Sequence, residues 1–412
     1  MARSRDAARE QPLEHRILLT ATLCLLAAGA VMVYSASSAR TLLEGQGDGT
    51  AYLVKYLVYG GIGLVVMQVV SRMDLRVIRD VTPALLGVSF VLLLAVKVPG
   101  IGVQVNGATR WIGAGPLQFQ PSELAKIALV LYAVRLIADR PRMVLTLKGI
   151  MNPLLLVAGT ACVLIASQPD LGTALVIGFT MCALLVAAGM PIRLLGRCVG
   201  AAVVLIGLFA ILEPYRRARL TAFLDPWAHA DTIGFQSVQG QIAMGSGGLF
   251  GRGLGESVQK IFFLPEAHTD FILAVIGEEI GVVGVWVLLF LYGLIAYAGL
   301  RAAKAAKGTY ATLLATGVTS LILCQALLNL FTVLGLAPLT GVPLPFISSG
   351  SSSLMTLLAG MGLLLNVASG RTTHLRAVRG DSRAHEQEGP HRRGRHGGAR
   401  GARAGGRRRA AV

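Results

Sequence analysis

Apolar runs that are long enough to cross a bilayer recur along most of this chain, and they constrain its fold more than any other feature. A membrane helix needs about 20 consecutive apolar residues. Of the 412 residues, 54% are hydrophobic and only 14% are charged, a composition that excludes a soluble globular protein. We therefore predict an all-α polytopic membrane protein with ten transmembrane helices, at 17–36, 52–70, 81–97, 122–138, 151–167, 171–190, 194–212, 269–300, 309–334 and 346–368.

Basic residues in alternate loops predict how the chain is oriented. If the ten spans alternate in direction, one side of the membrane receives both termini and the short-loop residues Arg72, Arg76, Arg79, Arg135, Arg140, Arg142, Lys148, Arg193, Arg197, Arg301, Lys304 and Lys307. Short loops rich in Arg and Lys stay in the cytoplasm. Both termini are therefore expected in the cytoplasm, and the large loop 213–268 between spans 7 and 8 is expected to be extracellular.

The two ends of the chain differ in composition from the membrane domain, which we place at 17–370. Residues 1–16 form a short charged cytoplasmic segment, and 371–412 form a tail with twelve Arg against three acids. Such a tail cannot bury a core, so we expect it to be disordered. Its charge could attract anionic lipid or an acidic partner, or it could simply help to fix the topology. No aromatic residues interleave with the Arg, so nucleic-acid binding is not expected.

The outer loop 98–121 and the helix after it carry polar residues that have alternative explanations. Arg110 and Trp111 could anchor a short interfacial element, or Arg110 could bind a phosphate at the membrane surface. Glu123 and Lys126 follow on one face of the next helix. Opposite charges at this spacing either neutralise each other or border a polar cavity, because intramembrane charges rarely face lipid.

Charged residues in two further outer loops have both a structural and a functional interpretation. Asp170 follows a helix-breaking proline and is well placed to cap the next helix, although it could also contribute to a site. The loop 213–268 carries five cations on the side that the charge rule disfavours: Arg216, Arg217, Arg219, Arg252 and Lys260. Clustered Arg at an outer surface favours an anionic ligand, and pairing with acids of the same loop is the alternative.

An unusually polar motif, Pro-Glu-Ala-His-Thr-Asp, leads into the eighth predicted span and places Glu266, His268 and Asp270 within five positions. Asp270 could simply benefit from the positive N-terminal end of that helix. Three ionisable residues opposite an Arg-rich loop favour a functional role instead. Glu278 and Glu279 follow on the same predicted helix, where an intramembrane acid usually has a function.

The last outer loop contains three prolines followed by a run of serines that includes Ser348 and Ser349. Broken backbone at membrane depth is tolerated where it lines a cavity. These features together predict an outward-facing polar cavity with acids, a histidine and several Arg between apolar walls. Such a cavity suits an anionic amphiphile such as a phosphate-bearing lipid. It does not separate an enzyme from a transporter.

Six motifs occur in the order found in one bacterial family: Asn106-Gly-Ala-Thr-Arg-Trp-Ile112, Gln120-Pro-Ser-Glu-Leu-Ala-Lys126, Gln168-Pro-Asp-Leu-Gly-Thr173, Gly253-Leu-Gly-Glu-Ser-Val-Gln-Lys260, Leu264-Pro-Glu-Ala-His-Thr-Asp-Phe271 and Pro343-Leu-Pro-Phe-Ile-Ser-Ser-Gly350. Through them the chain resembles the SEDS family (FtsW, RodA and SpoVE), the bacterial cell-wall glycan polymerases, and it is most similar to the FtsW branch. Two features depart from that branch. The last outer loop reads Leu-Thr-Gly-Val-Pro-Leu, closer to RodA, and Ser-Gly-Ser-Ser replaces the usual Tyr-Gly-Gly-Ser.

The resemblance implies a peptidoglycan glycosyltransferase that polymerises lipid II into glycan strands on the outer face of the cytoplasmic membrane, in septal synthesis during cell division. The 4-hydroxyl of one sugar would attack the anomeric carbon of another. The family's catalytic acid maps onto Asp270, which would act as general base. Arg110, Arg217 and Arg219 would stabilise the departing pyrophosphate. A divalent cation (Mg²⁺ or Mn²⁺) could do the same, although the sequence contains no dedicated site for it.

The remaining candidate residues are assigned to substrate binding or to polar support. We expect substrate contacts from Trp111, Asp170, Lys260, Glu266, His268, Ser348 and Ser349, and intramembrane polar support from Glu123, Lys126, Glu278 and Glu279. The resemblance implies a class B penicillin-binding protein (a transpeptidase) and other division membrane proteins as partners, at the division septum. A lipid II flippase and a non-catalytic scaffold for division proteins are the alternative functions.

Overall fold

The computed structural model describes residues 11–43, 49–105, 108–114, 117–212, 214–261 and 263–370. The predicted cytoplasmic segment 1–16 is therefore described only from residue 11. The basic tail 371–412, which we predict to be disordered, lies outside the described residues.

Helices make up most of the described chain. In order they are α1 (Leu13–Leu43), α2 (Ala51–Arg72), α3 (Leu75–Ala95), α4 (Pro121–Asp139), α5 (Leu147–Ala166), α6 (Leu171–Ala187), α7 (Ile192–Leu212), α8 (Pro214–Leu224), α9 (Phe235–Ser246), α10 (Ile272–Glu279), α11 (Gly281–Ala305), α12 (Thr309–Val333) and α13 (Ser351–Ala368). Among the described residues, seven helices are long and apolar enough to cross a membrane: α1, α2, α3, α5, α11, α12 and α13. The chain is thus an α-helical membrane protein, and each predicted span coincides with one or two of its helices.

Side-chain caps begin several of these helices where the sequence places a short polar residue. The Asp74 carboxylate accepts a hydrogen bond from the Arg76 N–H (2.9 Å) at the start of α3. The Asp170 carboxylate accepts one from the Thr173 N–H (3.2 Å) at the start of α6. Caps of this kind satisfy N–H groups that the first helical turn leaves without a partner. The predicted capping role of Asp170 is confirmed.

The centre of the bundle is α13, which packs against α2, α12 and α11. Its apolar window is 89% buried, against 22% for the window of α3, so α3 lies at the periphery. Asn366 of α13 donates to the carbonyls of Val70 (3.0 Å) and Met73 (2.6 Å) at the end of α2. Backbone carbonyls have no water to bond in a bilayer, so a buried amide at this position stabilises the helix end.

A small antiparallel sheet follows α3 and adds one β element to the predicted all-α membrane architecture. Its strands are β1 (Gly102–Val105), β2 (Ala108–Ala114) and β3 (Leu117–Phe119), in the order β1-β2-β3. Residues of this stretch alternate between apolar and polar, with β-branched and aromatic side chains, a pattern that favours a strand over a helix. Hydrogen bonding between the strands satisfies the backbone of a segment that we expected only to lie at the membrane interface.

The eighth predicted span, 269–300, is divided into two helices rather than one. It breaks between α10 and α11, where Gly281 has a φ of +76°. That left-handed conformation is typical of a glycine that ends a helix. The break makes α10 a separate element of only eight residues, all of them buried.

Candidate active site

The turn ahead of α10 brings together the acids of the Pro-Glu-Ala-His-Thr-Asp motif. Glu266 has a φ of +55°, which is uncommon outside glycine, and its carbonyl accepts the Thr269 N–H (3.1 Å). The tight turn directs both acids toward the Thr269 hydroxyl. Thr269 Oγ1 lies 2.9 Å from Glu266 Oε2 and 3.2 Å from Asp270 Oδ1. Because a hydroxyl has one proton to donate, the two carboxylates share this donor.

Asp270 lies outside the seven long apolar helices, in a turn that is partly open to solvent. Burial, and then repulsion from the Glu266 carboxylate, raise the pKa of Asp270 from 3.8 to about 7. A hydrogen bond from its own N–H, the Thr269 hydroxyl and the Arg219 guanidinium lower it by less. A carboxyl group with a pKa near neutrality can exchange a proton with a substrate, as general acid–base catalysis requires.

Asn329 of α12 fixes the backbone at Asp270. Its Nδ2 donates to the carbonyl of Asp270 (2.7 Å) and to the carbonyl of Val342 (2.8 Å) in the last outer loop. Asn329 is 1% exposed, so this is a buried polar contact. Asn329 therefore connects the Asp270 turn and the Val342 loop to α12.

The two serines that the sequence nominated hold the same turn from the last outer loop. Ser348 Oγ donates to the carbonyl of Thr269 (2.5 Å). Ser349 donates to the carbonyl of His268 through its N–H (3.1 Å) and its Oγ (2.9 Å). The His268 ring lies against Tyr52 of α2, with ring centroids 4.2 Å apart. The structure therefore brings Glu266, His268, Asp270 and both serines together, and their role in substrate binding stays a prediction.

The last outer loop is held by side chains from four surrounding helices. Its backbone carbonyls at Leu339, Val342, Pro343, Pro345 and Phe346 accept hydrogen bonds from Arg219, Asn329, Gln325, Tyr292 and Tyr56, respectively. Proline-rich backbone cannot satisfy itself as a helix does, so a loop buried in a membrane protein requires such donors. This loop contacts the Asp270 turn through Ser348 and Ser349.

Arg219, one of the predicted outer-loop cations, acts electrostatically on Asp270. It lies on α8, its Nη1 donates to the carbonyl of Leu339 (3.2 Å), and its charge lowers the pKa of Asp270. Arg217 lies on the same helix with an exposed side chain. The side chain of Arg216 lies outside the described residues.

Arg110 and Asp170 form a second cluster at the head of α4. Arg110 of β2 donates through Nε to the carbonyl of Gln168 (3.0 Å) and through Nη2 to that of Pro169. Asp170 Oδ2 accepts from both Gln120 Nε2 and Ser122 Oγ (3.0 Å each). These contacts dock the sheet on the turn before α6.

Trp111 follows Arg110 on β2 and is half-buried. Asp170 is 4% exposed. Substrate contacts from Arg110, Trp111 and Asp170 stay predictions, since two of these residues already have partners within the protein.

Glu123 and Lys126 form the predicted i, i+3 ion pair, with 2.9 Å between Oε2 and Nζ. Both are buried, and Lys126 also donates to Gln325 Oε1 of α12 (2.7 Å). Gln325 Nε2 in turn donates to the carbonyl of Pro343 (3.0 Å). A polar chain thus runs from α4 through α12 to the loop beneath the Asp270 turn.

Lys260, Glu278 and Glu279 lie in a separate cluster at the other end of α10. Lys260 Nζ is 2.7 Å from Glu279 Oε1, and Glu278 accepts from Ser257 Oγ (2.5 Å). All three side chains are at most 3% exposed. In this structure protein oxygens surround the Lys260 ammonium, and its substrate-binding role stays a prediction.

No group of three His, Cys, Asp or Glu side chains that could hold a metal ion occurs among the described residues. Glu266 and Asp270 provide two neighbouring carboxylates. That donor set fits a hard divalent cation whose remaining ligands are water or substrate phosphate.

Sequence reasoning missed several residues that build the site. Gln325 and Asn329 lie four residues apart on α12, so they share one helix face, and both are buried. Polar residues at this spacing inside an apolar helix usually face the bundle interior, which is the signal that could have identified them. Thr269, inside the acidic motif, was also not nominated.

Comparison with known proteins identifies the family to which this arrangement belongs. A family profile described as "Cell cycle protein" (FtsW/RodA/SpoVE) matches residues 16–373. The chain belongs to the FtsW/RodA/SpoVE family. Members of the family include "Probable peptidoglycan glycosyltransferase FtsW" of Geobacter sp. (strain M18), 40% identical over 354 residues, with 86% of this chain and 96% of the relative covered. "Stage V sporulation protein E" of Bacillus subtilis (strain 168) is 37% identical over 360 residues, covering 85% and 96%.

Two solved structures of this family share the fold. One is a chain from the work "Structural coordination of polymerization and crosslinking by a peptidoglycan synthase complex", with a TM-score of 0.71 and 32% identity, covering 86% of this chain and 97% of that chain. The other is the rod shape-determining protein RodA of Thermus thermophilus, with a TM-score of 0.61 and 31% identity, covering 86% and 96%.

Proposed function

We propose that this chain is a peptidoglycan glycosyltransferase of the FtsW type, which polymerises lipid II on the outer face of the cytoplasmic membrane for septal cell-wall synthesis. Glycosyltransferase is the activity named for its relatives. One observation carries the assignment of the reaction to a site. Asp270, in the motif of the family, is a partly buried carboxyl group with a pKa of about 7, whose charge is opposed by Glu266 and favoured by Arg219.

Contacts between loops support the alternating ten-span topology, and the basic short loops support placing both termini in the cytoplasm. On the proposed outer side, Arg110 contacts the turn before α6, and Ser348 contacts the turn before α10. On the opposite side, Arg301 pairs with Glu14 (3.2 Å), and Arg79 pairs with Asp139. Every one of these pairs joins loops that the alternating topology places on the same side.

In the proposed reaction Asp270 removes the proton from the 4-hydroxyl of the acceptor sugar. That oxygen forms a bond to the anomeric carbon of the donor, and the bond from this carbon to the lipid pyrophosphate breaks with its electron pair. The proton remains on Asp270 until solvent takes it. A carboxyl group of pKa about 7 is ionised in half of the molecules at neutrality and is a stronger base than an ordinary aspartate.

Arg219 is the best-placed cation for the charge that develops on the pyrophosphate, because it already acts electrostatically on Asp270. Arg217, exposed on the same helix, could join it. If a divalent cation takes part, Glu266 and Asp270 are the side chains that would hold it, and it would neutralise phosphate charge.

The related peptidoglycan synthase complex suggests that this chain also works with a partner. We propose a class B penicillin-binding protein as that partner, together with other membrane proteins of the division machinery. The transpeptidase would cross-link the strands that this chain polymerises.

The test uses purified full-length protein with its transpeptidase partner and labelled lipid II, comparing wild type with Asp270→Asn. The proposal predicts glycan strands from wild type and a loss of about 10²- to 10⁴-fold in Asp270→Asn, the usual contribution of a general base. Undiminished polymerisation by Asp270→Asn would refute the base assignment. A wild-type protein that forms no glycan but moves lipid II across liposomes would instead be a flippase.

A further inference from the structure

The short helix α10 links two acidic ends. Asp270 precedes its first residue, and Glu279 is its last residue. At 1.5 Å per residue the two acids are about 13 Å apart along the axis. A displacement of the Glu279 end would act on Asp270 through this short helix.

The helix break isolates α10 from α11, so the long membrane helix does not by itself fix its position. Two helix ends at a break leave carbonyl and N–H groups without helical partners. Here the segment Gly247–Lys260, which we call the brace, supplies those partners. The N–H groups of Arg252 and Gly253 donate to the carbonyls of Glu278 (2.9 Å) and Glu279 (3.0 Å) at the end of α10.

The brace also satisfies the start of α11. The N–H groups of Val282 and Val283 donate to the carbonyls of Gly248 (3.0 Å) and Leu249 (3.2 Å). The brace therefore bonds to both sides of the break. The glycine-rich composition of the brace has a physical cause in this contact.

Glycine is required where the brace meets α10. A Cβ on Gly247 would lie 1.9 Å from the carbonyl oxygen of Gly277. A Cβ on Gly251 would lie 2.1 Å from that of Glu279, and Gly251 has a φ of +78°. Any other residue at these positions would push the brace away from the helix.

Buried ion pairs complete the contact. Lys260 Nζ lies 2.7 Å from Glu279 Oε1, 2.7 Å from the Gly255 carbonyl and 3.2 Å from Ser35 Oγ of α1. Ser35 Oγ also donates to Glu279 (2.7 Å). Glu279 thus joins the brace to the first membrane helix.

Among the described residues, the partners of the Glu278 carboxylate all lie in the brace. The carboxylate accepts from Ser257 Oγ (2.5 Å) and the Val258 N–H (3.1 Å), and it pairs with Arg252 (3.5 Å). Because Glu278 is fully buried, it depends on these donors.

We propose that the brace positions α10, and through it Asp270, and that Lys260 and Glu279 are positioning residues rather than substrate ligands. This proposal rests on Asp270 acting as the general base. It assigns a function to the Gly-Leu-Gly-Glu-Ser-Val-Gln-Lys motif that is separate from substrate recognition.

The experiment compares wild type, Lys260→Met, Lys260→Arg and the exposed cytoplasmic control Lys307→Met in full-length protein. Hydrogen exchange is measured for peptides covering 266–279 and, as an internal control, 309–333. We expect Lys260→Met to speed exchange in 266–279 by about tenfold or more, with 309–333 unchanged, since local opening is governed by local contacts. Lys260→Arg, which keeps donors for Glu279, should restore slow exchange.

Steady-state kinetics on lipid II supply the second readout. A positioning role predicts that Lys260→Met lowers kcat about tenfold or more while KM changes less than about twofold, because only transition-state geometry is lost. If KM rises and kcat is kept, Lys260 binds substrate and the proposal is wrong. Unchanged exchange in 266–279, or equally faster exchange in 309–333, also overturns it.

The exchange measurement does not depend on which residue is the base. If Asp270→Asn polymerises lipid II undiminished, the base assignment fails, whereas a localised exchange change in Lys260→Met still identifies the brace as the element that fixes α10. If Lys260→Met cannot be purified, Arg252→Gln replaces it. That side chain is 44% exposed and pairs at 3.5 Å, so the same localised change is expected at smaller size.

Discussion

The two ends of α10 carry acids in opposite environments. At its C-terminal end Glu278 and Glu279 are fully buried and face Lys260, Arg252, two serines and backbone N–H groups. At its N-terminal end Asp270 is only partly buried, shares one hydroxyl donor with a second acid, and has a pKa raised to about 7. The chemical group is the same in all three residues.

This difference shows how the fold separates stability from reactivity. The donors and counter-charges around Glu278 and Glu279 satisfy these buried acids and fix the C-terminal end of α10. An acid that is desolvated beside a like charge exchanges its proton readily near neutrality. Hydrogen-bond donors and counter-charges surround the acids at the C-terminal end of α10, whereas Asp270 at the N-terminal end shares one hydroxyl donor with Glu266.

The largest expected effect comes from Asp270→Asn, which should lower kcat by about 10²- to 10⁴-fold without loss of stability. A raised pKa means that the folded state holds the Asp270 proton more tightly than the unfolded state. The carboxyl group therefore destabilises the wild type progressively as pH rises from about 3.8 to about 7. Asp270→Asn removes this penalty, so its melting temperature at pH 7.5 should equal or exceed that of wild type.

At the C-terminal end of α10, Glu278→Ala should instead lower the stability of the protein. It leaves the Ser257 hydroxyl and the Val258 N–H without their buried acceptor, and a buried donor left unsatisfied costs roughly 1–3 kcal/mol. Thermal unfolding in detergent should report a clear loss of stability. Glu256→Ala, an exposed acid in the brace, is the matched control and should change stability by less than about 0.5 kcal/mol. Equal melting temperatures for Glu278→Ala and Glu256→Ala would contradict the structural role assigned to the C-terminal end of α10.

Smaller effects of opposite sign are expected from the neighbours of Asp270. Glu266→Gln removes a like charge, so the pKa of Asp270 should fall and the rate at pH 6 should rise roughly 2- to 5-fold relative to the rate at pH 8. Arg219→Gln removes an attractive charge, so the pKa should rise and the same ratio should fall. Comparing the two ratios excludes a uniform loss of activity as the explanation. Shifts in the same direction would contradict the proposed electrostatics.

Sequence analysis predicted much of the fold because membrane helices have a strong local signal. Every predicted span coincides with one or two helices, and the Glu123–Lys126 pair and the Asp170 cap were predicted from spacing alone. The break after α10 was missed, since Gly281 lies within an apolar run and its partner, the brace, is about 30 residues earlier. The sheet was missed although Asn106-Gly107, between alternating residues, is a known hairpin signal.

The site was predicted less completely than the fold, because contacts between residues far apart in sequence leave no local signal. The motif around Asp270 identified the acids, but which donors reach them depends on contacts across distant parts of the chain. Lys260 and Asp270 are ten residues apart in sequence, yet they lie in different clusters. Gln325 and Asn329 gain their importance only because a proline-rich loop needs donors for its carbonyls. The predicted outward-facing cavity above the turn stays a prediction.

The most direct test of the central claim is the pH dependence of kcat for lipid II polymerisation, measured from pH 5 to 9 in wild type and in Asp270→Asn. If Asp270 is the base, the wild-type rate should rise about tenfold per pH unit up to about pH 7 and then level off. This rise is the acidic limb of the profile. The residual rate of Asp270→Asn should lack that limb. The account is contradicted if wild type shows no limb near neutrality, or if Asp270→Asn keeps it.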